Sequence, residues 1–210
     1  MTATGGVALL DEQADFMLRL ARAGRLNRRL EALPLDEDLA ERRAAGRGLV
    51  APELAVLLAY SKIELYDEVL ASDVPDDAFV ARALPAYFPA PIRERWGGRI
   101  AAHALRREIV ATVVVNELIN RCGATFVDRI RVETGAPAPD IVRAFIATWE
   151  VFALDGCWRE IAALDNRAPA ALQVAMRVDV LRLVRGATLW WLRHPQWLAD
   201  LGATAEHFAS

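Results

Sequence analysis

The strongest constraint on the fold is an apolar run set among charges that are spaced as on a helix. Residues 109–119 read Ile-Val-Ala-Thr-Val-Val-Val-Asn-Glu-Leu-Ile, with Arg106, Arg107, Glu108, Glu117 and Arg121 around or within them. At about 100° per residue, Leu105, Ile109, Thr112, Asn116, Ile119 and Asn120 fall on one side. Val110, Ala111, Val114 and Leu118 fall on the other. A helix apolar nearly all round belongs in an interior, wrapped by other helices. The β-branched run Thr112-Val113-Val114-Val115 would also suit a buried strand, but the charge spacing and the stop signal Cys122-Gly123 favour a helix. The expectation is an all-α fold, a multi-helix bundle around a central buried helix at about 100–122, with no sheet.

Turn signals divide the rest of the chain. Residues 10–30 read as an amphipathic helix with Phe16, Leu20 and Ala23 inside and Arg19, Arg22, Arg25, Arg28 and Arg29 outside. Asp36 can cap a short charged helix at 37–45, and Pro52 opens a helix running to Leu70. A short helix to Leu84 precedes an irregular connector at 85–91, whose Tyr87 and Phe88 are expected to plug the core. Beyond the central helix, helices are expected at 124–133, 139–154, 155–164 and 168–193. No alternating run bounded by hairpin signals is present. In domain terms, residues 1–8 read as disordered or as an artificial start, and 9–194 as one helical domain with a seam near 85–91. Residues 195–210 read as a C-terminal tail.

Bulk properties exclude some classes. At 54% hydrophobic and 25% charged residues the chain is globular. A net charge of −3 gives no electrostatic case for nucleic acid. No uncharged run reaches the 18 or so residues of a membrane span, and the N-terminus lacks a signal-peptide pattern. Cys122 and Cys157 suit a reducing compartment, so a cytoplasmic protein is expected.

Candidate chemistry is sparse. Gly46-Arg47-Gly48-Leu49-Val50-Ala51 has the letters of a dinucleotide fingerprint, but a charged helix precedes it where that motif needs a strand, so it reads as a turn. His103, His194 and His207 lack metal-site spacing and company. Lys62, the one lysine, reads as a solvated helix residue, and both cysteines as small core residues. Asn116 and Asn120 lie four apart on the core-facing side, where each needs partners. Asp179 lies in line with Leu172, Met176, Leu183 and Trp190 and needs an arginine, from Arg106, Arg107 or Arg182. These residues are expected to form a structural polar network, whose disruption should destabilise strongly. Trp190, Trp191 and Trp197 mark a docking surface, because one helix cannot turn both adjacent indoles inward. No catalytic, cofactor-binding or metal-binding residue is assigned.

Several blocks together carry a resemblance. They are Ala23-Gly24-Arg25-Leu26-Asn27 through Leu33-Pro34, Ala40-Glu41-Arg42-Arg43-Ala44-Ala45-Gly46, and Pro52-Glu53-Leu54-Ala55-Val56-Leu57-Leu58-Ala59-Tyr60-Ser61-Lys62-Ile63. Tyr87-Phe88-Pro89, Leu105-Arg106-Arg107-Glu108-Ile109-Val110-Ala111-Thr112, Asn116, Asn120-Arg121, Thr125-Phe126-Val127 and Ala163-Leu164-Asp165-Asn166 follow in order. From about Leu18 to Arg193 the chain resembles the C-terminal helical region of the large bacterial NAD-specific glutamate dehydrogenases. The resemblance implies a parent enzyme that oxidises L-glutamate to 2-oxoglutarate and ammonia with NAD. That reaction needs a nucleotide-binding sheet, a lysine-rich pocket and a catalytic aspartate, none of which can be placed here. The chain is accordingly expected to be a non-catalytic helical domain serving assembly or regulation, with no cofactor of its own and NAD in the parent. Its expected partners are the catalytic domain of the same parent chain and a homo-oligomer, with no nucleic acid and no membrane. An all-helical transcription regulator and a free-standing helical interaction domain or enzyme remain as alternatives. Against the regulator, 36–41 is acidic where a recognition helix would lie.

Overall fold

The computed structural model describes residues 3–208, with side chains from Gly6 onward. All regular structure among them is helical. Of residues 1–8, expected as disordered or as an artificial start, Ala3–Ala8 form a short helix, α1; Met1 and Thr2 lie outside the described residues. α2 (Leu10–Arg22) buries Leu10, Gln13, Phe16, Met17 and Leu20. It ends eight residues before the sequence-based boundary, because Asn27 Oδ1 accepts the Arg29 and Leu30 N–H groups at 3.1 and 3.2 Å and holds a turn in place of helix.

α3 (Asp36–Ala44) starts with three acids and ends on Arg42 and Arg43, which suits the helix dipole. The Leu35 N–H donates to Asp38 Oδ2 at 2.8 Å, so Asp38, not Asp36, satisfies the helix start. Gly46 and Gly48 form the expected turn. A Cβ built on Gly48 would come within 2.3 Å of the Gly6 backbone, so only glycine lets α1 approach. α4 (Ala51–Leu70) opens with Pro52 in its first turn and Glu53 Oε2 accepting the Val50 N–H at 2.8 Å. It buries Glu53, Leu57, Ser61, Leu65 and Val69, a strict four-residue spacing.

Two 3₁₀ segments follow, Val74–Asp76 and Val80–Tyr87. Tyr87 is 55% exposed and does not plug the core; Phe88 alone packs against it. The connector then gives way to a helix that the sequence reading missed, α5 (Ala90–Ile100), in which only Ile100 is buried. Ile100 therefore ends α5 and does not begin the central helix. That helix, α6, is Arg106–Cys122, preceded by a turn in which His103 Nδ1 accepts the Leu105 N–H at 3.1 Å. Its β-branched run is accommodated in helix, with Thr112 Oγ1 donating to the Glu108 carbonyl at 2.7 Å. Gly123 stops α6 at φ +91°, and α7 (Phe126–Thr134) leaves at 88°.

α8 (Ala138–Val151) buries a larger share of its length than α6, with Ala138, Ile141, Val142, Ala144, Phe145, Ala147, Thr148 and Trp149 inside. It packs against α10 (Ala170–Arg193), reached through α9 (Leu154–Ala162). The C-terminal segment from Pro195 is helical among its described residues. A 3₁₀ turn, Pro195–Leu198, and α11 (Leu201–Phe208) return to α8 and bury Leu198 and Leu201.

The described residues hold two apolar clusters. One gathers α2, α3 and the first half of α4 around Phe16, Met17, Leu20, Leu39 and Leu57. The larger one joins the second half of α4 to α6, α7, α8, α10 and α11. Among the described residues no single helix is long and apolar enough to cross a membrane.

Candidate functional site

The densest set of charges lies where the two clusters meet, on the second half of α4. Arg19 of α2 makes a bidentate pair with Glu64 of α4, both contacts 2.7 Å. Its Nε donates to Asp128 of α7 at 2.5 Å. One turn along α4, Arg131 of α7 donates to both oxygens of Glu68 at 2.8 Å, and Arg25 pairs with Asp67. Glu12 and Arg129 add a further link between α2 and α7 at 3.2 Å. Phe16, Ser61, Leu65, Ile119 and Val127 wall the cluster, and the space inside is about 10 Å³, room for one water at most.

The electrostatics are those of a locked network. Burial raises the Glu64 carboxyl, yet the hydrogen bonds from Arg19 and the charges of Arg19, Arg131 and Arg25 hold it below the ordinary range. The Glu64 hydrogen bond holds the Arg19 proton more tightly than usual, against burial. The charges are spent on one another, and three helices are tied by them. The sequence reading placed Arg19 outside. A signal was available, since Leu57, Ser61, Glu64 and Glu68 share a face of α4 at spacings of four, three and four.

The network expected from sequence does not assemble. Asn120 is exposed and Asn116 half-buried, and among the described residues neither side chain has a hydrogen bond. Asp179 pairs with Arg182 at 2.7 Å, but both side chains are well exposed, so the strong destabilisation expected on loss of its partner does not follow. Arg107 instead donates to the Leu70 and Ser72 carbonyls at 2.8 and 2.9 Å, satisfying the C-terminal end of α4. Arg106 reaches Pro75 O at 3.4 Å and, with Arg107, pairs with Asp76. The cause is the rotation of α10, which turns Val184, Thr188 and Trp191 inward. Asp179, Leu183 and Trp190 lie about 100–140° around the helix from Val184. Trp191 is 2% exposed and Trp190 42%, as adjacent positions on one helix require; Trp197 is half-buried. Trp190 stacks on His194 at 4.2 Å, and Trp197 on His207 at 4.9 Å.

A cleft of about 480 Å³ is lined by Asp73, Asp76, Asp77, Asp140 and Arg143. Its acids are engaged: Arg143 donates to Asp73 at 2.6 Å and lies 3.6 Å from Asp140, and Asp77 accepts the Phe79 and Val80 N–H groups. The Arg143 hydrogen bond holds Asp73 below its usual range. Lys62 is half-buried on α4, beside Ser61, and lines neither site. Cys122 is half-buried against the larger cluster, and desolvation pushes its thiol up to about 12, while Cys157 is exposed and so is no core residue.

The geometry thus describes a helical body held by internal ion pairs, and comparison with known proteins agrees with it in kind. A family model described as "Glutamate dehydrogenase, C-terminal" matches residues 46–210. The chain belongs to this family. Among curated relatives of this glutamate dehydrogenase C-terminal domain, the NAD-specific glutamate dehydrogenase of Pseudomonas aeruginosa is 42% identical over 197 residues, 94% of this chain. The proteins of the same name from Halomonas elongata and Mycobacterium tuberculosis are 42% identical over 85% and 88% of it. The chain spans only 11–12% of the length of these relatives. The chain is thus similar to the C-terminal region of these large NAD-specific glutamate dehydrogenases. The family match starts in the turn after α3, so α2 and α3 precede the matched region while supplying Arg19 to its ion cluster.

Proposed function

We propose that this chain is a non-catalytic domain serving the assembly or regulation of an NAD-dependent glutamate dehydrogenase. The parent reaction is the oxidative deamination of L-glutamate to 2-oxoglutarate with NAD, and NAD is held elsewhere in the parent. Its first partner is the catalytic part of the same polypeptide, in the cytoplasm, without nucleic acid or membrane. The observation that carries this reading is the use of charge. Arg19, Glu64, Asp128, Arg131 and Glu68 are consumed in tying α2, α4 and α7 together, around a void too small for a substrate. The small share of the relatives' length that the chain covers supports it further, since most of such an enzyme lies elsewhere.

Two measurements test it. The isolated chain, incubated with L-glutamate and NAD, forms no NADH at any protein concentration. Deleting the region from a full-length enzyme changes its sedimentation, its stability or its response to effectors. NADH formation by the isolated chain overturns the proposal, as does a deletion that leaves mass, stability and rate profile intact.

A further inference from the structure

α10 carries apolar residues on two faces. One packs on α8 through Val184, Thr188 and Trp191. The other runs through Leu172, Met176, Asp179, Leu183, Gly186 and Trp190, at spacings of four, three, four, three and four. That rhythm is the a/d seam of a coiled coil. Leu172 is 51% exposed, Leu183 41% and Trp190 42%, and Met176 between them is half-buried, so most of the seam lies open along a helix of 24 residues.

We propose that a second copy of this chain closes the seam, by antiparallel pairing of the two α10 helices about a two-fold axis near Leu181. Register and charge select this occupant. In an antiparallel pair each a position faces a d position. Leu172 then meets Trp190 of the second copy, Met176 meets Gly186, and Asp179 meets Leu183. Gly186 has open space where a Cβ would stand, so it offers a hole to the opposing methionine. The one carboxylate of the seam is already paired with Arg182 at 2.7 Å. At the axis two such pairs come together as a four-charge cluster of zero net charge. A parallel pair would instead set Trp190 on Trp190, Gly186 on Gly186 and Asp179 on Asp179, combining a clash, a void and like charges. The seam is about 27 Å long at 1.5 Å per residue. A contact of that length is at the small end of protein interfaces, so dimerisation is expected with a Kd of about 1–100 µM.

The pairing adds an interface to the assembly reading and is tested by mass alone. NADH formation by the chain would defeat that reading and leave this one standing. Sedimentation equilibrium of the full chain across that concentration range is expected to show monomer passing to dimer. Leu183→Glu sets a carboxylate against the Asp179 carboxylate of the second copy, and Gly186→Ala fills the hole. Both positions are exposed in the monomer, so helicity should be kept while dimerisation weakens at least about tenfold. In a Cys157→Ser background, Leu172→Cys with Trp190→Cys should oxidise to a covalent dimer, whereas Leu172→Cys alone should not. A monomer at every concentration overturns the proposal. So does a dimer indifferent to both seam variants, or one cross-linked by Leu172→Cys alone.

Discussion

Replacing Arg19 with methionine keeps much of the side-chain stem and removes the guanidinium that joins α2 to α4 and α7. It leaves the Glu64 and Asp128 side chains, 13% and 12% exposed, without the cation they share, with Arg131 engaged on Glu68. Breaking a buried pair by removing one partner costs about 3–5 kcal/mol. Arg19 is itself one-third exposed, so water relieves part of this and a loss of about 2–4 kcal/mol is expected. A double-mutant cycle with Glu64→Gln should give a coupling energy of about 1–3 kcal/mol. Urea unfolding read in two ways makes the test specific. All six tryptophans lie at position 96 or beyond, outside the cluster built by α2 and α3. Circular dichroism reports the whole chain, and indole fluorescence reports only the larger cluster. In the wild type the two curves should coincide. In Arg19→Met the dichroism curve should move to lower urea and separate from the fluorescence curve, as α2 and α3 let go first. Coincident curves within about 0.5 kcal/mol of wild type would refute the reasoning.

The Glu64 carboxyl is depressed in the folded state, so its stabilisation is present above the unfolded value of about 4.3 and is lost as pH falls through the lower folded value. Stability measured from pH 5 downward should therefore drop more steeply in the wild type than in Glu64→Gln. A thiol reagent at pH 8 should label Cys157 quickly and Cys122 much more slowly, because Cys122 is half-buried with its thiol pushed up to about 12; two equally fast thiols would contradict this. Ala153 holds φ +48° at the start of α9, where an L-residue costs about 1–2 kcal/mol. Ala153→Gly should accordingly raise the thermal midpoint, by about 0.5–1 kcal/mol of stability after glycine's entropic cost, as read by calorimetry.

The fold class was legible because helical periodicity and stop signals are local. The 109–119 run, Pro52, Gly123 and the Gly46-Arg47-Gly48 turn each act within a few residues. What failed depends on neighbours distant in sequence. α5 escaped notice because its apolar residues, Ile92 and Trp96, stay outside, so no inward stripe announces it. The Leu172–Trp190 line on α10 looked like a core face, and its residue types are those of a core face. Which of two apolar stripes turns inward is settled by α8, not by α10 alone. Asn116 and Asn120 were read as a buried network on the same local grounds, although the solvent side of α6 begins at Glu117 and Asn120. The ion cluster was half visible: Glu64 and Glu68 sit on the Leu57 face. Their arginines come from helices 45 and 63 residues away, and no spacing rule reaches so far.

A stripe recurring every fourth residue does not run straight up a helix. It advances by about 40° each time, so between Glu53 and Val69 the buried line of α4 winds through about 160°. The same rod therefore shows one side to the cluster of Phe16 and Met17 and nearly the opposite side to that of α6 and α8. Trimming the chain at the edge of the matched family region would take α2 and α3 away and leave Leu57 wet and Glu64 without its cation. For anyone expressing this region, the workable boundary is therefore set by the winding of one helix, some thirty-five residues upstream of where the family model's match begins.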